Sequence, residues 1–250
     1  MEPTENIWLE GDFCKRYLKN IRISTTDIHY GYLSPGEREL GLLGKPLNLR
    51  GKWIVEIGCG TAQNCIALTK WGAKCTGIDI SDIMLQIGRS LSEKEKVDIE
   101  LIHGDARELG KLLGKSRYGY KKAFIFISTF AISFFCHDEV ELVDFFDQVR
   151  KNIDPNGLFV FCFSHPSQKP KNRVKDYGWR EKYFTIAETT QALDSTGFVV
   201  ERRVSQTTKN PSKMLSEQKK RFPYEVFGLD SRLDRLTNKP HTIIYVARPK

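Results

Sequence analysis

Two acids and a pair of glycines stand closest to chemistry. Glu56, Gly58 and Gly60 alternate along Glu56-Ile57-Gly58-Cys59-Gly60, and Asp79 closes the next apolar run. A glycine has no Cβ, so the backbone can turn sharply there and a ligand can approach it. A carboxylate just beyond such a turn can accept hydrogen bonds from ribose hydroxyls. The set predicts a crevice for a nucleoside. The histidines are the other reactive candidates, because imidazole titrates near neutral pH and can move a proton. His29 lies beside Tyr30, and His165 follows an apolar run; these two are the candidate bases. His103 and His137 read as structural. Each candidate also has a plain reading as a packing or capping residue.

The elements that must position these groups are legible. Trp53–Ile57 is a short apolar run ending in glycines, the pattern of a buried parallel strand. Ile66, Ala67, Leu68 and Trp71 recur at helical spacing, and Cys75–Ile80 is a second strand. Strand, glycine turn, helix and strand fill about thirty residues. Further along, Ser81 is the expected N-cap of a helix to Leu91, and Asp98–Ile102 is a third strand. Asp105 precedes an expected helix, Ala106–Leu113. Ala123–Ile127 is a fourth strand, leading into Ser128 and an apolar segment. A helix over Glu139–Asn152 starts at Asp138. The turn Asp154–Gly157 introduces a fifth strand, Leu158–Phe163. A helix over Tyr183–Asp194 and strands over Gly197–Val204 and His241–Ala247 complete the set.

The third glycine of a dinucleotide fingerprint would fall at Gln63, and an acid at Glu56 is unusual for that site. Val55-Glu56-Ile57-Gly58-Cys59-Gly60-Thr61-Ala62-Gln63-Asn64, followed by Gly77-Ile78-Asp79-Ile80-Ser81, resembles motif I and the second-strand acid of class I S-adenosylmethionine-dependent methyltransferases. Ala62 stands where that family usually has a glycine. Gly104-Asp105-Ala106 resembles the segment whose Asp meets the adenine amine. The stretch Asp27-x-His29-Tyr30-Gly31, continued by Pro35-Gly36-Glu37, resembles a bacterial and archaeal subgroup acting on small molecules.

The resemblance implies an α/β fold. Its core is a doubly wound, mostly parallel seven-stranded sheet with helices on both faces. Residues 1–50 would form an N-terminal helical lid and 51–250 the methyltransferase domain, with insertions over 165–182 and 205–240 covering the acceptor site. It implies S-adenosyl-L-methionine as cofactor and no metal. Gly58, Cys59 and Gly60 would meet its methionine part, with Glu56, Asn64 and Ser128 nearby. Asp79 and Ile80 would meet the ribose, and Met84, Asp105 and Ala106 the adenine. Tyr17 and Tyr30 would close over it from the lid. Met84 reads equally as core, and Asp105 equally as an N-cap. The segment after the fourth strand lacks the Asp/Asn-Pro-Pro-Tyr and Pro-Cys signatures of base-modifying relatives.

Net charge is +8 at pH 7 over 250 residues. Lys111–Lys122 is basic and holds no acid, and 169–182 and 213–221 are also rich in Lys and Arg. RNA is therefore a second class of partner beside a small-molecule acceptor, although a solvated basic surface accounts for the charge equally well. A protein acceptor, or cofactor binding without catalysis, is a further alternative. No apolar run reaches the ~20 residues of a membrane span. The first residues show no signal-peptide core, and the six cysteines form no C-x-x-C. These features predict a cytoplasmic protein with reduced thiols.

Overall fold

A computed structural model describes residues 48–168, 181–206 and 242–250. Seven strands form one sheet: β1 Trp53–Ile57, β2 Lys74–Asp79, β3 Glu100–His103, β4 Ala123–Thr129, β5 Ile153–Ser164, β6 Phe198–Gln206 and β7 Thr242–Pro249. Their order is β3-β2-β1-β4-β5-β7-β6. Strands β1 to β5 run parallel, and β7 lies antiparallel between β5 and β6. The order reverses after β1, so the crevice at the carboxyl ends of β1 and β4 is the topological switch point where such sheets bind ligands.

The helices are α1 Gln63–Lys70, α2 Asp82–Lys94, α3 Leu109–Leu113, α4 Ile132–Phe135, α5 Glu139–Asn152 and α6 Ile186–Ser195. Strand residues alternate between two cores. Ile54, Ile125 and Ile127 face Cys65, Leu68 and Leu85 of α1 and α2. Val55, Ile57 and Phe126 face Leu112, Phe145, Phe146 and Leu193 of α3, α5 and α6. Helices thus cover both faces, as expected of a parallel sheet. The second core is rich in rings: Phe146 meets Phe159 edge-on at 5.3 Å, and Phe161 stacks on Tyr245 at 5.1 Å. Each such fully buried ring stabilises the fold by roughly 1.5–3 kcal/mol.

Several local expectations shift. The residues expected as one helix after Asp105 form a 3₁₀ turn, Ala106–Glu108, before the short α3. The Asp154–Gly157 turn is absorbed into β5 as an irregularity, where Asn156 N–H donates to Asp154 Oδ1 at 2.8 Å. The segment after β4, read only as an apolar stretch, contains α4. Helix α6 begins at Ile186 and not at Tyr183, because Thr185 and Glu188 form a reciprocal capping box. Ser81 occupies the N-cap of α2 without a side-chain capping bond, whereas Asp138 caps α5 through Glu141 N–H at 2.9 Å.

Candidate functional site

The site forms where β1, β2 and β4 end together. Gly58 and Gly60 adopt φ of 67° and 53°, the left-handed region that glycine enters without steric cost. Ala62 also lies there, at φ 57°. It keeps the geometry that the missing glycine would supply, at the price of roughly 1–2 kcal/mol of backbone strain. Gly58 N–H and Cys59 N–H donate to Ile78 O at 2.8 and 3.0 Å, tying the turn to β2.

Asp79 is fixed by the same turn. Gly60 N–H donates to its Oδ2 at 2.7 Å and Ser81 N–H to its Oδ1 at 2.8 Å. Burial pushes this carboxyl above its usual range, against the pull of those two bonds. Each oxygen keeps a lone pair for a hydroxyl donor. A Cβ on Gly60 would meet nothing within 4 Å, so the turn has an open side. On its other side a Cβ on Gly58 would sit 2.2 Å from Ala131 Cβ. The segment after β4 therefore presses directly on the turn. Phe130 there takes φ 61°, and Ser128 pairs in register with Ile57. Ser128 Oγ is buried and has no hydrogen-bond partner among the described residues.

Glu56 lies beneath the turn. Its Oε1 accepts from Asn64 Nδ2 at 2.5 Å, and its Oε2 accepts from Cys65 Sγ at 3.2 Å. Burial raises its pKa to about 7 despite both bonds. Glu56 and Asn64 thus lock α1 to β1. Cys65 was not singled out by sequence reading; its place one helical step beyond Asn64 was the only signal. Burial, with Asp79 and Glu56 nearby, lifts the Cys59 thiol well above its ordinary range, so it is not a thiolate nucleophile.

The far wall begins at β3. Asp105 accepts from Arg107 N–H at 2.9 Å and from its guanidinium at 2.7 and 3.0 Å. Burial opposes ionisation, yet these bonds hold the Asp105 carboxyl below its usual range. Asp105 is therefore an N-cap, and Arg107 is its unforeseen partner; the Asp-x-Arg spacing at a helix start carried the signal. Ala106 and Met84 are buried, and Ile80 O bonds His103 Nε2 at 2.9 Å.

His165 follows β5. Its Nδ1 accepts from Ser167 N–H at 3.1 Å and lies 2.9 Å from Ser167 Oγ. A backbone amide only donates, so Nδ1 carries no proton and the neutral ring is protonated at Nε2. Burial holds its pKa below the ordinary value. As arranged, His165 offers a donor to its surroundings, while its basic nitrogen is engaged. Beside it, Ser164 Oγ bonds Glu181, and Lys182 N–H donates to Ser133 O at 2.9 Å, which brings the returning chain against α4. His29, Tyr17 and Tyr30 lie outside the described residues, as do most of the two later insertions.

Comparison with known proteins agrees with this geometry. Residues 54–157 match the family model described as a methyltransferase domain. Over 154 residues the chain is 30% identical to the carboxy-S-adenosyl-L-methionine synthase of Sulfurimonas denitrificans, covering 56% of this chain and 60% of that protein. The chain spans 60% or less of the length of the first curated relatives it matches. Among solved structures, the fold resembles an S-adenosylmethionine-dependent methyltransferase from Mesorhizobium loti (TM-score 0.61, 20% identity, 84% of this chain and 96% of that one). It also resembles magnesium protoporphyrin IX methyltransferase from Synechocystis PCC 6803 with bound S-adenosylmethionine (TM-score 0.55, 16% identity, 84% and 76%).

Proposed function

We propose, for a chain that carries the class I S-adenosylmethionine-dependent methyltransferase domain, that it moves the cofactor's methyl group to an O, N or C atom of a small molecule. The observation that carries this reading is the glycine turn bonded to Asp79, with open space beside Gly60. The residues present fit the cofactor. Gly58, Cys59 and Gly60 would border its methionine part, and Asp79 would accept from the ribose hydroxyls. Ala106 N–H and Asp105 would reach the adenine, and Ser128 ends β4 beside the turn, in register with Ile57.

The bound sulfonium supplies an already activated methyl group, so the chain's task is orientation and exclusion of water. Glu56 serves this task indirectly, by holding α1 and the turn together. The chain leaves the sheet after β5 and again between β6 and β7, at the carboxyl end of β5. In this reading those excursions and residues 1–50 close over the acceptor. His29 is the candidate base, with Tyr17 and Tyr30 beside the cofactor. His165 acts through its Nε2 proton. Two features favour a small acceptor: the subgroup resemblance of the 27–37 stretch, and the small-molecule product named for the relative from Sulfurimonas. No helix among the described residues is long and apolar enough to cross a membrane, and the five described cysteines are unpaired, which fits a cytoplasmic setting.

Calorimetric titration with S-adenosylhomocysteine tests the reading, alongside Asp79→Ala. Micromolar binding that the variant loses is expected. The native chain is then given methyl-labelled cofactor and a cell extract; label should enter the small-molecule fraction. Label in RNA or protein would replace the acceptor class, and a folded chain that binds no cofactor would overturn the reading.

A further inference from the structure

The basic stretch Lys111–Lys122 is not used by the cofactor crevice. Its residues 115–122 lie at the opposite end of the sheet, where the parallel strands begin. Three adjacent strands enter there behind lysines: Lys74 opens β2, Lys52 precedes β1, and Lys121 and Lys122 precede β4. Neighbouring strands lie ~4.8 Å apart, so these cations form one row. The segments 48–52, 70–74 and 115–122 together hold eight Lys or Arg and no acid.

The acids that approach this edge are already engaged. Asp98 pairs with Arg117 at 2.9 Å and Glu95 with Lys70 at 2.6 Å. Glu100 takes Arg117 N–H at 2.7 Å and the hydroxyls of Thr76 and Ser116. Lys52, Lys74 and Lys121 are exposed, and no ion pair to any of them occurs among the described residues.

Rings interleave with the cations. Lys52 lies over Phe124 at 4.5 Å, Lys74 over Tyr118 at 5.7 Å, and Lys121 over Tyr120 at 5.1 Å. Tyr120 is 77% exposed, and Trp71, which is 39% exposed, ends α1 at the same edge. Two exposed rings on a cationic row supply both halves of single-strand recognition: charge for the phosphates and flat faces for unstacked bases. We propose that this edge binds single-stranded nucleic acid, away from the crevice at the other end of the strands. A duplex or a non-aromatic polyanion would use the lysines alone and leave the rings idle.

The test is fluorescence anisotropy with a labelled oligouridylate of roughly twenty nucleotides, from about 50 to about 300 mM salt. The native chain should bind at low salt and weaken as salt rises. Combined Lys52→Glu, Lys74→Glu and Lys121→Glu should weaken binding at least ~tenfold and lower the salt slope by about 2, since each phosphate contact contributes ~0.7. Tyr120→Ala should weaken binding ~fivefold or more with the slope unchanged. An unaltered melting temperature shows that the variants fold. The inference does not rest on the cofactor reading, so either can fail alone. No binding by the folded native chain overturns it. So does a triple variant that binds normally, which would move the contact to other basic segments. A Tyr120→Ala variant that binds normally, with inorganic polyphosphate competing as well as oligouridylate, overturns it too.

Discussion

The backbone N–H of Gly60 donates to Asp79 Oδ2 at 2.7 Å, so the turn after β1 and the acid that ends β2 shape each other before any ligand arrives. Asp79→Asn separates the two roles. An amide offers one accepting oxygen, so one of the two backbone N–H groups loses its partner. The cost should be about 1–3 kcal/mol in stability, with S-adenosylhomocysteine affinity reduced at least ~tenfold. Denaturant unfolding and calorimetry read the two effects, and an affinity loss without any stability loss would show that the bonds to the turn contribute little.

Gly58 is held by its neighbour as well as by its φ. Gly58→Ala would drive a methyl group into Ala131, where the gap is 2.2 Å, and would force φ 67° on an alanine. Destabilisation of roughly 2–4 kcal/mol is expected. Adding Ala131→Gly should restore the steric part and leave the backbone part. A double-mutant cycle with no coupling would contradict the close approach.

Glu56 makes stability depend on pH in an unusual direction. Its folded pKa is about 7 and its ordinary value is 4.5. The folded state therefore holds a proton that the unfolded state releases, and stability falls as pH rises through that interval. The loss above neutrality should be roughly 3 kcal/mol. Glu56→Gln carries no such charge, so its unfolding free energy should change less between about pH 4.5 and about 7. Urea unfolding of both proteins across that window provides the comparison; parallel curves would refute the assignment to Glu56.

Thr185 offers a control outside the glycine turn and its acids. Its Oγ1 accepts from Glu188 N–H at 3.1 Å, and Glu188 answers through Thr185 N–H at 2.5 Å. Thr185→Ala should cost about 1 kcal/mol of stability. Cofactor affinity should not move. A change in affinity would mean that α6 communicates with the site.

The strand and glycine framework was readable because it depends on local pattern: apolar runs, turns and the acids that end them. All seven strands lie close to where the sequence put them. What escaped was set by contacts distant in sequence. The insertion of β7 between β5 and β6 follows from pairing across 35 intervening residues and more, such as Phe159 with Ala247. The bond from Cys65 to Glu56 and the grip of Arg107 on Asp105 are specific geometries that no periodicity encodes. Sequence suggested the Asp105 cap, whereas burial raised Glu56 far more than its residue type implied. The capping box at Thr185 was visible as Thr-x-x-Glu, but the apolar pattern beginning at Tyr183 outweighed it.

Gln206 and Thr242 face each other across the β6–β7 pair, and Thr242 also faces Ser164 at the end of β5. The chain thus departs from the sheet and rejoins it at one bonded point. Closing that excursion costs the same sheet register whatever its length, and loop entropy grows only slowly with added residues. Evolution can exchange, lengthen or shorten residues 207–241 as a cassette, while the cofactor end keeps its geometry.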